Sequence, residues 1–269
     1  MPRVVRPVDF EDRLTLVEHL DELRSRIIVS LVVFGVALAL CFWQNHALLE
    51  IANGPLPAKL DEPSVFGVAE AFTTTLTISA YAAILISLPV LLYEAYAFVL
   101  PALSPREKKA ILPFLLLAPF LFIAGVVFAY FVVMPAALDF LLNFNDDEFN
   151  NFLRAREYYS FFALTEISVG LLFQVPIGIL AVTRLGIFTP QQIAANRRYA
   201  ILVIAVLAML LPGTDPITML ISMIPLVILF EGSLVLARII GGPAPDPEAD
   251  ADLEADADPG AGVATTEAP

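Results

Sequence analysis

Cysteine and histidine are nearly missing from this chain of 269 residues, with one Cys and two His in all. Cys41 lies alone in an apolar run, so neither a disulfide nor a cysteine metal cluster can form, and it reads as a small buried hydrophobe. His19 and His46 fall outside the long apolar runs, and neither an HExxH nor a GxSxG pattern occurs, which removes the usual groups of an intramembrane protease. No Walker-type Gly-rich loop is present to cradle a nucleotide. Charge is also sparse, at 16% of residues. The composition therefore gives no support to an enzyme, and neither a cofactor nor a metal is expected.

Apolar residues take the space instead. They make up 58% of the chain, with a mean hydropathy of +0.80, which a water-soluble protein could hardly sustain. Six apolar stretches recur: Ile27–Phe42, Phe72–Leu100, Ala110–Ala137, Tyr159–Val182, Tyr199–Leu211 and Ile217–Ile240. About 20 apolar residues cross a bilayer core as a helix, and four of the six reach that comfortably. The expected fold is all-α: a polytopic membrane protein of six transmembrane helices.

Orientation follows from Lys and Arg. Arg3, Arg6, Arg13, Arg24 and Arg26 precede the first span; Arg106, Lys108 and Lys109 follow the second; Arg184, Arg197 and Arg198 follow the fourth; Arg238 ends the sixth. Only Lys59, Arg154 and Arg156 fall on the other side. Both termini are expected in the cytoplasm, with loops near 43–71, 138–158 and 212–216 outside. About two dozen polar residues precede the first apolar run, so no cleavable signal peptide is expected and the first span itself acts as insertion signal. Localisation in the cell membrane follows.

Three regions are expected: a cytoplasmic amphipathic segment at 1–26, the six-span domain at 27–240, and an acidic tail at 241–269. Leu16, Leu20 and Leu23 give the first its apolar face. The tail is rich in Pro, Gly, Ala and acid, lacks periodicity and is expected to be disordered. It carries much of the net charge of −13. One reading is a docking segment for a basic partner; the favoured one is a solvating tail in a halophilic proteome.

Glu94, Glu166, Gln174 and Glu231 lie within the spans, where ionisable groups are costly and point to function. The plainer alternative is pairing, capping or snorkelling inside the bundle, which suits Glu231 near the end of the last span. Glu94 stands about two turns from the cytoplasmic end of its span and could reach a water-filled cavity there. On one unbroken helix Glu166 and Gln174 would sit roughly 80° apart in azimuth and about 12 Å apart in height. The fifth stretch is only about 13 residues, roughly 20 Å as a helix, so the fifth and sixth spans either thin the bilayer or borrow Asn196–Arg198 for length. Pro89, Pro101, Pro113, Pro119, Pro135 and Pro176 bend the spans, and bent helices side by side form a curved, concave wall. At the cytoplasmic face, Glu22 and Glu107 stand among basic residues; two carboxylates there suit a ligand with two guanidinium groups, although Glu22 could also simply pair with Arg26 four residues on.

The ordered motifs resemble the TatC family, the multispanning subunits of twin-arginine protein translocases, over about residues 14–240. They are His19-Leu20-x-Glu22-Leu23-Arg24-x-Arg26, Glu70-Ala71-Phe72, Tyr93-Glu94-Ala95-Tyr96-Ala97-Phe98 with Pro101-Ala102-Leu103, and Glu107-Lys108-Lys109. Then come Phe128–Val133 with Pro135, Phe173-Gln174-Val175-Pro176, Arg198-Tyr199, and Met209-Leu210-Leu211 before Asp215. The resemblance implies a cytoplasmic site for the Arg-Arg pair of signal peptides at Glu22 and Glu107, shaped by Leu20, Arg24, Phe98 and Pro101. It implies a membrane polar site or partner surface at Glu94, Glu166, Gln174, Met209 and Asp215. Implied partners are small single-span TatA-like and TatB-like subunits, folded precursors, the lipid bilayer and further copies of the chain, with no nucleic acid. Transport in this family is driven by the proton-motive force. Two positions depart from the family: Glu94 stands where Gln is common, and Gln174 where Glu is common. Pro212 and Met219 also replace polar residues found in some relatives. The rival readings are an ion-coupled secondary transporter using Glu94 and Glu166, against which the lack of an internal repeat speaks, and a membrane scaffold that reads no signal.

Overall fold

The structure is a computed structural model that describes residues 16–57, 63–99, 105–144, 148, 152–184, 188–210, 212 and 216–240; at 16–19, 99, 105–116, 184, 239 and 240 only the backbone is described. The elements are helices throughout. They are α1 (Leu16–Trp43), α2 (Asn45–Asn53), α3 (Glu70–Val99), α4 (Pro105–Phe128), a π-helical turn (Ala129–Val133), α5 (Met134–Asn143), α6 (Ala155–Leu172), α7 (Val175–Arg184), α8 (Pro190–Ala195), α9 (Arg197–Met209) and α10 (Pro216–Ile240). Without water, a spanning segment must satisfy its backbone within itself, which leaves the helix as the economical form for these apolar runs. Several hydroxyls of α3 are satisfied in the same way: Thr73, Thr75 and Thr77 donate to carbonyls four residues earlier, at 3.0, 2.8 and 2.7 Å.

Among the described residues, five segments are long and apolar enough to cross a membrane: Leu20–Trp43, Glu70–Phe98, Leu117–Asn143, Ala155–Thr183 and Pro216–Arg238. The sixth expected span is α9, which has only 13 residues. It gains little from the preceding loop, because Asn196 breaks the helix between α8 and α9 and leaves α8 separately closed by a Thr189–Gln192 capping box. The third span runs six residues beyond its expected end at Ala137, since Leu138–Leu142, apolar but for Asp139, continues the helix as α5.

Proline sets the breaks. Pro135 has no N–H and its ring would strike the carbonyl four residues earlier; the chain widens into the π-turn Ala129–Val133 just before it. Pro176 sits in the first turn of α7, after a two-residue break at Phe173 and Gln174. The fourth span is thus two helices, and the separation of Glu166 from Gln174 reckoned on one unbroken helix does not apply. Pro225 lies inside α10, a further proline within a spanning helix.

Helix α1 packs chiefly on α3, through the small residues Ala37, Cys41, Ala82 and Ala83. Cys41 is buried and free, as its composition suggested. Helix α6 lies between α3 and α4, and α10 packs against α7 and α9. The α4–α6 crossing is close: a Cβ on Gly125 would meet Gly170 Cα at 3.0 Å, and one on Gly170 would meet Phe122 Cε2 at 2.6 Å. Leu31, Val32, Val36 and Leu40 of α1, with Leu220, Ile224 and Ile228 of α10, turn outward. In water so many exposed aliphatics would be a liability; against lipid tails they are at home.

Candidate functional site

Among the described residues, polar assemblies interrupt this apolar bundle. The first joins α1 to α3. Glu22 and Arg26 are one helical turn apart, and Arg26 donates to Glu22 Oε1 from Nε at 3.2 Å and from Nη2 at 2.5 Å. Its third nitrogen, Nη1, donates to Glu94 Oε2 at 2.9 Å, across 68 residues of sequence. All three side chains are partly buried. Glu94 is engaged in an ion pair with Arg26. Leu20 is 63% exposed and Arg24 is exposed on the same helix, while Phe98 is half-buried in the last turn of α3. Glu107 lies in the first turn of α4, where only the backbone is described, and Pro101 and Asp215 lie outside the described residues. Glu22, Arg26 and Glu94 are thus brought together, whereas the juxtaposition of Glu22 with Glu107 rests on sequence alone.

The second assembly is inside the bundle. Glu166 on α6 is only 1% exposed, and neither carboxyl oxygen has a hydrogen-bond partner among the described residues. Tyr130 and Tyr158 are within electrostatic reach of it. Unpaired burial of a carboxylate is costly, so this group works against stability. Gln174, exposed to the core by the α6–α7 break, donates from Nε2 to the Ala118 carbonyl at 3.0 Å, while its Oε1 is buried without a partner among the described residues. Met209 ends α9 and is exposed.

The third assembly leaves no local signal in the sequence. Tyrosines also bind the C-terminal end of α2, where the Ile51 carbonyl accepts the capping Gly54 N–H at 3.1 Å. Tyr130 donates to the Ile51 carbonyl at 2.9 Å, Tyr158 to that of Ala52 at 2.5 Å, and Tyr159 to Asn53 Oδ1 at 3.0 Å. Glu70, at the head of α3, accepts backbone N–H groups of Phe66 and Gly67 at 2.9 Å each and the Arg154 Nε at 2.6 Å. This pairing holds the Arg154 guanidinium above its ordinary pKa. Ser64 bridges the same strand-like segment, donating to Leu153 and accepting from Ala155, both at 2.9 Å. Arg197, at the head of α9, pairs with Glu231 of α10 at 3.1 Å, the pairing role anticipated for Glu231.

Comparison with known proteins meets this geometry from outside. The family model described as Sec-independent protein translocase protein (TatC) matches residues 18–225.

The chain belongs to the TatC family.

A TatC from Desulforapulum autotrophicum is 34% identical over 234 residues, covering 86% of this chain and 87% of the relative. One from Carboxydothermus hydrogenoformans is 35% identical over 232 residues, covering 86% and 96%. A crystal structure described as the twin arginine translocase receptor TatC in DDM superposes with a TM-score of 0.69 at 33% identity, covering 81% of this chain and 99% of that one. The family and the spanning helices together make this a multi-pass membrane protein. The first assembly contains Glu22, a candidate signal-binding residue, together with Glu94.

Proposed function

We propose that this chain is the receptor subunit of a twin-arginine translocase, in the cell membrane with six spans and both termini cytoplasmic. It binds the Arg-Arg pair of signal peptides of folded precursors at its cytoplasmic face, with no enzymatic step of its own. Glu22 and Glu107 receive the two guanidinium groups; Leu20, Arg24, Phe98 and Pro101 shape the site. The observation that carries this reading is that Glu22 already takes a guanidinium, with Nε and Nη2 of Arg26 both on its Oε1. A carboxylate so placed is fitted to arginine rather than to a point charge.

The membrane-buried Glu94, Glu166 and Gln174, with Met209 and Asp215 near the short α9–α10 pair, form the polar and partner-contact region of the concave wall. There, TatA-like and TatB-like single-span subunits and further copies of the chain assemble for export driven by the proton-motive force. The region organisation is a cytoplasmic amphipathic segment at 1–26, the membrane domain at 27–240, and an acidic solvating tail at 241–269 suited to a halophilic cell. The shortness of α9, about 20 Å at 1.5 Å per residue, supports local thinning of the bilayer where polar cargo crosses.

The test is binding of a fluorescent twin-arginine signal peptide to the purified chain, against the same peptide with Lys-Lys. Wild type should prefer Arg-Arg, and Glu22→Ala and Glu107→Ala should each remove the preference. Equal binding of both peptides, unchanged in both variants, would reject the receptor site.

A further inference from the structure

The carboxylate assigned to a signal arginine is occupied by an arginine of the chain itself. Arg26 commits Nε and Nη2 to Glu22 and Nη1 to Glu94, so one guanidinium joins two carboxylates from different helices. An incoming arginine that forks onto Glu22 needs Oε1, the oxygen that Arg26 holds with two nitrogens. Glu22 Oε1 cannot accept two guanidinium forks at once, so one of the two cations must find another acceptor. Glu94 offers the way out, because it already touches Arg26 at 2.9 Å and can keep it when Glu22 lets go. After exchange there are two guanidiniums and two carboxylates, and the local charge is balanced.

We propose that Arg26 is a resident placeholder that a signal arginine must displace from Glu22, and that Glu94 is the carboxylate that receives Arg26 when it moves. The pair then sets specificity. A planar guanidinium can replace the fork contacts that Arg26 gives up, whereas a lysine ammonium brings one compact charge and cannot. The empty site is closed to lysine because Arg26 outcompetes it. This rests on the reading of Glu22 as a signal-peptide ligand.

The experiment is a set of dissociation constants for the Arg-Arg and Lys-Lys signal peptides. They are measured on the full chain in detergent for wild type, Arg26→Gln, Glu94→Gln, the double variant and Glu22→Ala. Removing the competitor in Arg26→Gln should tighten Arg-Arg binding by about threefold or more and tighten Lys-Lys binding further, narrowing the preference. Removing the receiving carboxylate in Glu94→Gln should weaken Arg-Arg binding by about threefold or more, and should do nothing once Arg26 is Gln. Weaker or unchanged binding in Arg26→Gln would make Arg26 a strut and overturn the proposal. If Arg26→Gln does not fold, Arg26→Lys serves: a lysine is the easier competitor to displace, so Arg-Arg binding should again tighten, and failure to do so overturns the proposal equally. The Glu22→Ala arm separates the two levels. No loss of Arg-Arg binding there would sink the receptor site itself, while loss there without tightening in the Arg26 variants would sink only the placeholder.

Discussion

At the α4–α6 crossing a single methyl group should be felt. A Cβ on Gly170 would lie 2.6 Å from Phe122 Cε2, 3.0 Å from its Cδ2 and 3.1 Å from Val126 Cγ2. Phe122 is 2% exposed, so its ring cannot swing aside into lipid. Restoring ordinary contact means moving the helices apart by several tenths of an ångström to about 1 Å, and that forfeits dispersion along the whole interface. Overpacking of this kind costs about 1–3 kcal/mol, against a gain of at most about 1 kcal/mol from replacing a helical glycine by alanine. Gly170→Ala should therefore lower stability by about 1–2 kcal/mol, read as thermal or denaturant unfolding of the purified chain in detergent. Gly178 is the internal control: a Cβ there meets nothing within 4 Å, so Gly178→Ala should be neutral or stabilising. Trimming the obstacle with Phe122→Leu should reduce the Gly170→Ala cost by about 1 kcal/mol in a double-mutant cycle. If Gly170→Ala stabilises as much as Gly178→Ala, in both backgrounds, the close crossing is not real.

Tyr158→Phe should cost about 1–3 kcal/mol, because it strands the buried Ala52 carbonyl, and more than Tyr159→Phe, whose partner is a half-buried side chain; unfolding of both variants checks the order. Glu166→Leu should leave stability equal or higher, since it removes two buried oxygens without partners among the described residues, while export of a twin-arginine reporter falls if the carboxyl serves transport. A loss of stability in that variant would mean that Glu166 is paired. Arg197→Ala should change stability by no more than about 1 kcal/mol, because both members of its ion pair are substantially exposed.

Hydropathy and loop charge made the spanning helices legible, because burial in lipid demands long apolar runs and little else. Their ends were less so: Leu138–Leu142, apolar but for Asp139, reads equally well as loop or as continued helix, and the nine residues of α2 carry too short a pattern to be distinguished from an external loop. Pro135 and Pro176 announced breaks, but not that one would be a π-turn and the other a full interruption at Gln174. The tyrosine contacts with α2 join residues 79 and 106 positions apart, and local spacing carries no trace of such pairs. Glu22 with Arg26 was visible as a one-turn pair. Glu94, 68 residues from Arg26, was visible only as a carboxylate in need of a partner, and water was as good a guess as an arginine.

The central claim is signal-dependent transport, and its most direct measurement is export of a folded fluorescent reporter. Cells should carry this chain as their sole multispanning subunit, together with its small single-span partners. A reporter with an Arg-Arg signal should cross the membrane, its Lys-Lys counterpart should stay inside, and Glu22→Ala should abolish the difference. Export of both reporters alike, or of neither while the chain is inserted and bound to its partners, would contradict the assignment.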